Sequence, residues 1–136
     1  RLVSDAHVPF HTLQTQRRMR PDISALIRAA LYPTLADHPS TLEHPDVAGM
    51  GSNVFFLDHS FPEQGGSDSE SKSRTNVPEA DLTVALALYL VRQGHAPGSI
   101  ALLTPYVGQL LLLRDKLKGH MQVAISEQDA EDVQAM

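Results

Sequence analysis

After Pro21 the apolar residues Ile23, Leu26, Ile27, Ala30 and Leu31 recur at spacings of three and four, which places them on one face of a helix. Proline suits the first turn of that helix, and Pro33 requires it to end beforehand. A second helical pattern has apolar residues from Leu82 to Val91. It follows Asn76 to Glu79, which reads as a capping box with Pro78 in the first turn, and Gly94 terminates it. A third, GQLLLLRDKLK at 108–118, stops at Gly119, with Lys116 and Lys118 near its negative end.

Short apolar runs separate these helices. HVPFHTLQT at 7–15 alternates loosely and predicts a strand in its second half. NVFFLDH at 53–59, SIALLTPY at 99–106 and MQVAIS at 121–126 have the continuous apolar character of strands buried inside a parallel sheet, the second being stopped by Pro105. Residues 33–52, punctuated by Pro33, Pro39, Pro45, Gly49 and Gly51, predict an irregular crossing loop. FPEQGGSDSESKSRT offers almost nothing to bury, so 61–77 is expected to be a mobile loop, and EQDAEDVQAM predicts a loop or the start of a helix. The order β-α-β-α-β-α-β predicts an α/β fold, a mostly parallel sheet with flanking helices and right-handed crossovers.

Composition narrows what such a sheet could serve. A chain of 136 residues fits one domain and can bury roughly two-thirds of its unfolded surface. A net charge of -5 with 42% apolar residues excludes both a broadly basic nucleic-acid coat and a wholly disordered chain. Any anion site must be local. The absence of cysteine excludes disulfides, thiolate chemistry and a thiolate zinc centre within these residues. No apolar run approaches the ~20 residues of a membrane span and nothing resembles a signal peptide, so a soluble intracellular protein, cytoplasmic or nuclear, is expected without membrane attachment. A chain that starts at Arg1 and stops at Met136, just after an acidic stretch, is expected to be part of something longer.

The local positive charge lies in Gln16-Arg17-Arg18-Met19-Arg20, at the end of the first expected strand. In open α/β sheets ligands bind beyond the carboxyl ends of strands, and planar guanidinium forks suit phosphate oxygens. A solvated basic turn is the other reading, and both stay open on the residues alone. Thr104-Pro105-Tyr106 occupies a comparable position. It reads either as a strand stop with tyrosine covering the core, or as a hydroxyl and backbone amides at a helix start able to hold a phosphate. Among the seven histidines, His38, His44 and His59 lack cysteines or a helical i, i+4 partner, so metal binding is not expected. Asp58-His59-Ser60 holds triad letters in adjacent positions, which a strand would point to opposite faces. The leucine row from Leu110 to Leu113 reads as core.

TLQTQRRMRPDIS resembles the Q-x-R-M motif of superfamily 1 helicases of the nonsense-mediated-decay type, and ALLTPYVGQL resembles their T-P-Y-x-x-Q motif. LYPTLADHPS, NVFFLDHS and NVPEA are most similar to the NFX-type zinc-finger helicases associated with RNA surveillance and silencing. The resemblance runs over nearly the whole chain. It implies that residues 1–136 are a partial second RecA-like domain, of the P-loop NTPase type, from an ATP-dependent RNA or DNA helicase. By that resemblance Gln16, Arg17 and Arg18 belong to the ATP cleft. Arg18 is the catalytic arginine that reaches the phosphates, while Arg17 stands where the family usually has an aromatic against the adenine. A guanidinium can stack on a base as well.

Thr104, Pro105, Tyr106 and Gln109 are implied to face single-stranded nucleic acid. Asn76 and Glu79 match the family's polar helix start, although a simple cap explains them equally. Arg20, ahead of Pro21, reads as a solvated charge. No G-x-x-x-x-G-K-[ST] phosphate loop and no acidic magnesium motif occur, so ATP and Mg2+ are expected to be held mainly by a first RecA-like domain of the same parent protein. The segment alone is expected to be inactive. The rival reading is a RecA-like nucleic-acid or protein interaction module without turnover; a free-standing small-molecule α/β domain would require the segment to fold and bind alone.

Overall fold

In the computed structural model, which describes residues 9–65 and 73–134, helices form where periodicity and punctuation require them. The chain divides into two compact units, Arg1–Phe56 and Leu57–Met136.

The first unit is built on β1 (Thr15–Gln16), α1 (Pro21–Leu31) and β2 (Ala36–Asp37). The two strands pair in parallel, Thr15 beside Ala36 and Gln16 beside Asp37, through Ala36 N–H to the Gln14 carbonyl at 2.7 Å and His38 N–H to the Gln16 carbonyl at 2.9 Å. α1 starts on Pro21 and stops two residues before Pro33, as expected. The face it buries is not the apolar one. Ser24 is fully buried, whereas Leu26 and Leu31 are 65% and 68% exposed. The helix is held by polar groups facing β2, so periodicity located the helix and misassigned its inner stripe. β2 itself lies within the segment expected to be irregular loop, followed by a 3-10 turn, Pro39–Glu43, whose Thr41 is completely buried.

The second unit is helical. α2 (Val77–Arg92) packs on α3 (Val107–Leu117), and α3 also touches α4 (Glu127–Gln134). Ala80 and Ala87, both buried, present a small-residue surface on α2. Gln109, Leu113 and Leu117 form the buried i, i+4, i+8 stripe of α3. Small residues on one helix let the larger ones of the other approach closely, which fixes this pair as the core of the unit. Gly94 and Gly119 adopt positive φ just past α2 and α3, where glycine has no Cβ to obstruct the left-handed turn. Lys116 crosses to Asp81 of α2 at 2.6 Å, and Lys118 pairs with Asp115 at 2.9 Å.

Of the expected parallel sheet, the described residues hold one two-stranded parallel ladder, in the first unit together with α1. Residues 53–59, 99–106 and 121–126 form no strand, correcting the expectation for each. Apolar runs signal burial, but a strand also needs a neighbour to exchange hydrogen bonds with, and none lies alongside them among the described residues. Ile100 and Tyr106 are extended, and Ile100, Ala101, Leu102 and Thr104 with 121–126 instead line an apolar cavity of about 360 Å³ against α2 and α3. Phe55 and Phe56 are 56% and 89% exposed. The expected strand at 7–15 is represented by β1 at its end, and positions 7 and 8 fall outside the described residues. Within the expected mobile loop 61–77, Gln64 and Thr75 form an antiparallel bridge, while 66–72 also fall outside the described residues.

Candidate functional site

Gln16 organises the arginine turn. Its Oε1 accepts the N–H groups of Arg18 and Met19, each at 2.8 Å, and its Nε2 donates to the Met19 carbonyl at 2.7 Å and to Asp37 Oδ1 at 2.6 Å. The side-chain amide thus occupies the backbone groups of the turn that follows β1, a local competition typical of chain reversals. Arg17 and Arg18 are exposed, and their guanidinium groups have no partner among the described residues. Two forked cations stand on a hydrogen-bonded turn at a strand end, an arrangement suited to phosphate oxygens.

Asp37 anchors this turn from β2. It accepts Ser24 Oγ and Gln16 Nε2 on Oδ1, both at 2.6 Å, and its Oδ2 lies 3.2 Å from Arg28 Nη1. The Ser24 hydroxyl bond, then that from Gln16, with Arg28 adding a smaller attraction, hold its carboxyl below the usual carboxylate range. None of Ser24, Arg28 or Asp37 was singled out in the sequence. The signal was available in Ser24 and Arg28, polar residues four apart on one helix face.

Arg20 is not the solvated charge expected. Only 23% of its side chain is exposed; Nη2 donates to Asp46 Oδ1 at 2.9 Å, Nη1 to the His44 and Pro45 carbonyls, and Nε lies 3.5 Å from Asp22. Asn53 completes this clamp through Asp46 Oδ1 at 2.9 Å and Val47 N–H at 2.8 Å. The clamp folds residues 44–53 back on the helix start. Replacing Arg20 with Ala is expected to destabilise the protein by about 1–2 kcal/mol and to speed amide exchange in residues 44–47. Thermal unfolding and exchange mass spectrometry check this.

In the second unit the T-P-Y-x-x-Q segment is tied to the start of α2. Gln109 Oε1 accepts Asn76 N–H at 2.8 Å and Gln109 Nε2 donates to the Asn76 carbonyl at 3.1 Å, so one amide closes a two-bond ring with the backbone. Asn76 and Gln109 are only 3% and 7% exposed. Asn76 Oδ1 caps α2 through Glu79 N–H at 3.1 Å, and its Nδ2 donates to the Phe61 carbonyl at 3.1 Å. Half of the expected capping box is present. The Asn76 N–H that Glu79 would have taken goes to Gln109, and Glu79 pairs instead with His59 at 2.9 Å.

Gly108 N–H donates to Ser73 Oγ at 2.8 Å, and a Cβ at Gly108 would come within 3.0 Å of that oxygen and 3.2 Å of the Arg74 carbonyl. Thr104 Oγ1 accepts Tyr106 N–H at 3.3 Å. Thr104, Pro105 and Tyr106, the last 39% exposed, lie at a shallow cavity of about 170 Å³ with Glu63 and Arg74. Glu63, through a direct ion pair, raises the pKa of Arg74, and the nearby Tyr106 adds to the shift. Gln109 also lines this cavity, but it is buried and its amide is engaged by the Asn76 backbone. No group of three His, Asp or Glu that could hold a metal occurs among the described residues, and none of their helices is long and apolar enough to cross a membrane.

A family model described as an AAA domain matches residues 1–134. The chain is similar to NFX1-type zinc finger-containing protein 1 of Mus musculus, 44% identical over 108 residues, and to that of Homo sapiens, 42% identical; each comparison covers 79% of this chain and 6% of the relative. It is also similar to the helicase required for RNAi-mediated heterochromatin assembly 1 of Schizosaccharomyces pombe, 37% identical over 101 residues, 74% of this chain and 10% of that protein. The chain therefore spans a tenth or less of the length of these relatives. No solved structure matches it. By the family match and the motifs Gln16-Arg17-Arg18-Met19 and Thr104-Pro105-Tyr106, the chain belongs to the AAA domain family as an NFX1-like superfamily 1 helicase segment.

Proposed function

We propose that this segment is part of the second RecA-like motor domain of an ATP-dependent helicase acting on single-stranded RNA, with DNA as the alternative strand. The observation that carries the proposal is the exposed Arg17-Arg18 pair, without a side-chain partner among the described residues, on a turn fixed by Gln16, in a chain whose family match spans residues 1–134. RNA is favoured because the fission-yeast relative's name ties that helicase to RNAi-mediated heterochromatin assembly.

In this reading Arg18 meets the ATP phosphates, where a fixed guanidinium offsets charge developing during phosphoryl transfer. Arg17 lies against the adenine. Gln16 contributes by shaping the turn, its amide being fully engaged there. Thr104, Pro105 and Tyr106 grip the nucleic-acid backbone, and Gln109 acts from behind by fixing the first turn of α3. The guanidinium groups fit a triphosphate; Mg2+ finds no cluster of ligands among the described residues and would be supplied with its site by the first RecA-like domain. ATP, when bound, supplies the phosphoryl group whose transfer drives movement along the strand.

The Arg17→Ala variant of the full-length protein tests the division of labour. Stacking is similar in ground and transition states, so KM for ATP is expected to rise several-fold while kcat changes less than twofold. Steady-state ATPase kinetics with single-stranded RNA present measure both; a fall in kcat at constant KM would contradict the stacking role. Arg17 in the place of the family aromatic also favours a second reading, a RecA-like interaction module that binds without turnover. Absence of any ATP hydrolysis by the full-length protein would select it.

A further inference from the structure

We infer that Asp37 is a positioning residue for the Arg17-Arg18 turn, acting through Gln16; the inference rests on the proposed role of that turn at ATP. Gln16 and Asp37 are direct partners across the parallel pair, so their side chains leave the same face of the ladder. A carboxylate only accepts, which forces the Gln16 Nε2 donor toward Asp37 and leaves Oε1 for the Arg18 and Met19 N–H groups. With the amide reversed, oxygen would face Asp37 Oδ1 and two N–H groups would face the N–H groups of the turn. Asp37 and the Met19 carbonyl therefore favour the same orientation, and Asp37 ties it to β2.

Asp37 is itself held from the helix side. Ser24, completely buried, donates to the same oxygen that receives Gln16, and Arg28 faces the other oxygen. The chain of contacts runs from α1 through Asp37 and Gln16 to the backbone of Arg18. A displacement of about 1 Å at a reacting group can cost on the order of 10²-fold in rate, so a residue that never touches ATP can control kcat through this chain.

The test uses the full-length protein and two changes. Gln16→Glu keeps the size and the Oε1 acceptor, but sets oxygen against Asp37 Oδ1 and the Met19 carbonyl. Amide exchange at Arg18 and Met19 is expected to quicken by about 10-fold or more with α1 protection unchanged, and kcat for ATP to fall on the order of 10²-fold. Adding Asp37→Asn restores a donor facing Glu at position 16, and is expected to recover most of the protection and at least 10-fold of kcat. Loss of protection throughout α1, or no recovery in the double variant, would overturn the inference and assign Asp37 a general structural role. Exchange reads the hydrogen-bonded turn without ATP, whereas Arg18→Ala reads the role of the turn at ATP. If Arg18→Ala leaves kcat intact, the ATP reading fails; if it abolishes kcat while the Gln16 and Asp37 variants are silent, only the present inference fails.

Discussion

Replacing Arg18 with Ala in the full-length protein is expected to lower kcat for ATP hydrolysis by about 10³- to 10⁵-fold, the range that arginine fingers supply in other phosphoryl-transfer enzymes. The expectation follows from charge and placement together. Arg18 is exposed and partnerless among the described residues, so its guanidinium is not spent on the fold. Its backbone N–H is tied to Gln16 Oε1 at 2.8 Å, which restricts where the side chain can start. Since the stabilised charge develops only in the transition state, KM is expected to change little. Arg18→Lys keeps a positive charge but loses the planar fork, and is expected to recover only part of the rate. Single-turnover kinetics separate this chemical step from product release.

The second large effect concerns stability. Gln109→Leu places an apolar group in the α3 stripe and leaves the N–H of Asn76 buried without its partner, while the Asn76 carbonyl keeps the Ala80 N–H but loses its second bond. The orphaned N–H costs about 1–3 kcal/mol and the lost second bond at the carbonyl about 0.5–1.5 kcal/mol, so a loss of about 2–4 kcal/mol is expected, a large fraction of the ~5–15 kcal/mol that holds a typical domain. Gln109→Glu retains the acceptor for Asn76 N–H while setting a carboxylate oxygen against the Asn76 carbonyl, and is expected to be at least as damaging. Denaturant unfolding monitored in the helical unit checks both variants. Because Gly108 and Tyr106 adjoin this clamp, weaker affinity for single-stranded RNA is expected to accompany the loss of stability; a surface role for Gln109 would weaken RNA binding with no change in unfolding.

These two residues show how much the sequence made legible. Helix positions were readable because their signals are local: Pro21 opens α1, Asn76 caps α2, and Gly94 and Gly119 close α2 and α3. The inward placement of Gln109 was also written locally, in its spacing of four from Leu113 and eight from Leu117, but the motif reading directed attention outward. The role of Arg20 was not readable. Its partners at His44, Pro45 and Asp46 lie more than twenty residues away, and local pattern does not encode which distant carbonyls a guanidinium meets. Strands failed for a related reason. Phe55, Phe56 and Leu103 belong to runs that look buried, yet Phe56 and Leu103 are 89% and 94% exposed, because burial requires a facing layer and a strand requires a paired edge. Asp37 lies within a segment whose prolines and glycines predict an irregular loop. The two-residue strand that carries it is too short for alternation to register, and its importance lies in the three donors that converge on it.

The most direct measurement of the central claim is ATP hydrolysis by the purified full-length protein with and without single-stranded RNA, run in parallel on Arg18→Ala. Turnover is expected to rise when RNA is added and to collapse in the variant, because the same motor domain is proposed to read both ligands. Full-length protein that binds RNA with unchanged affinity in Arg18→Ala, and hydrolyses no ATP in either form, would contradict it and leave an interaction module.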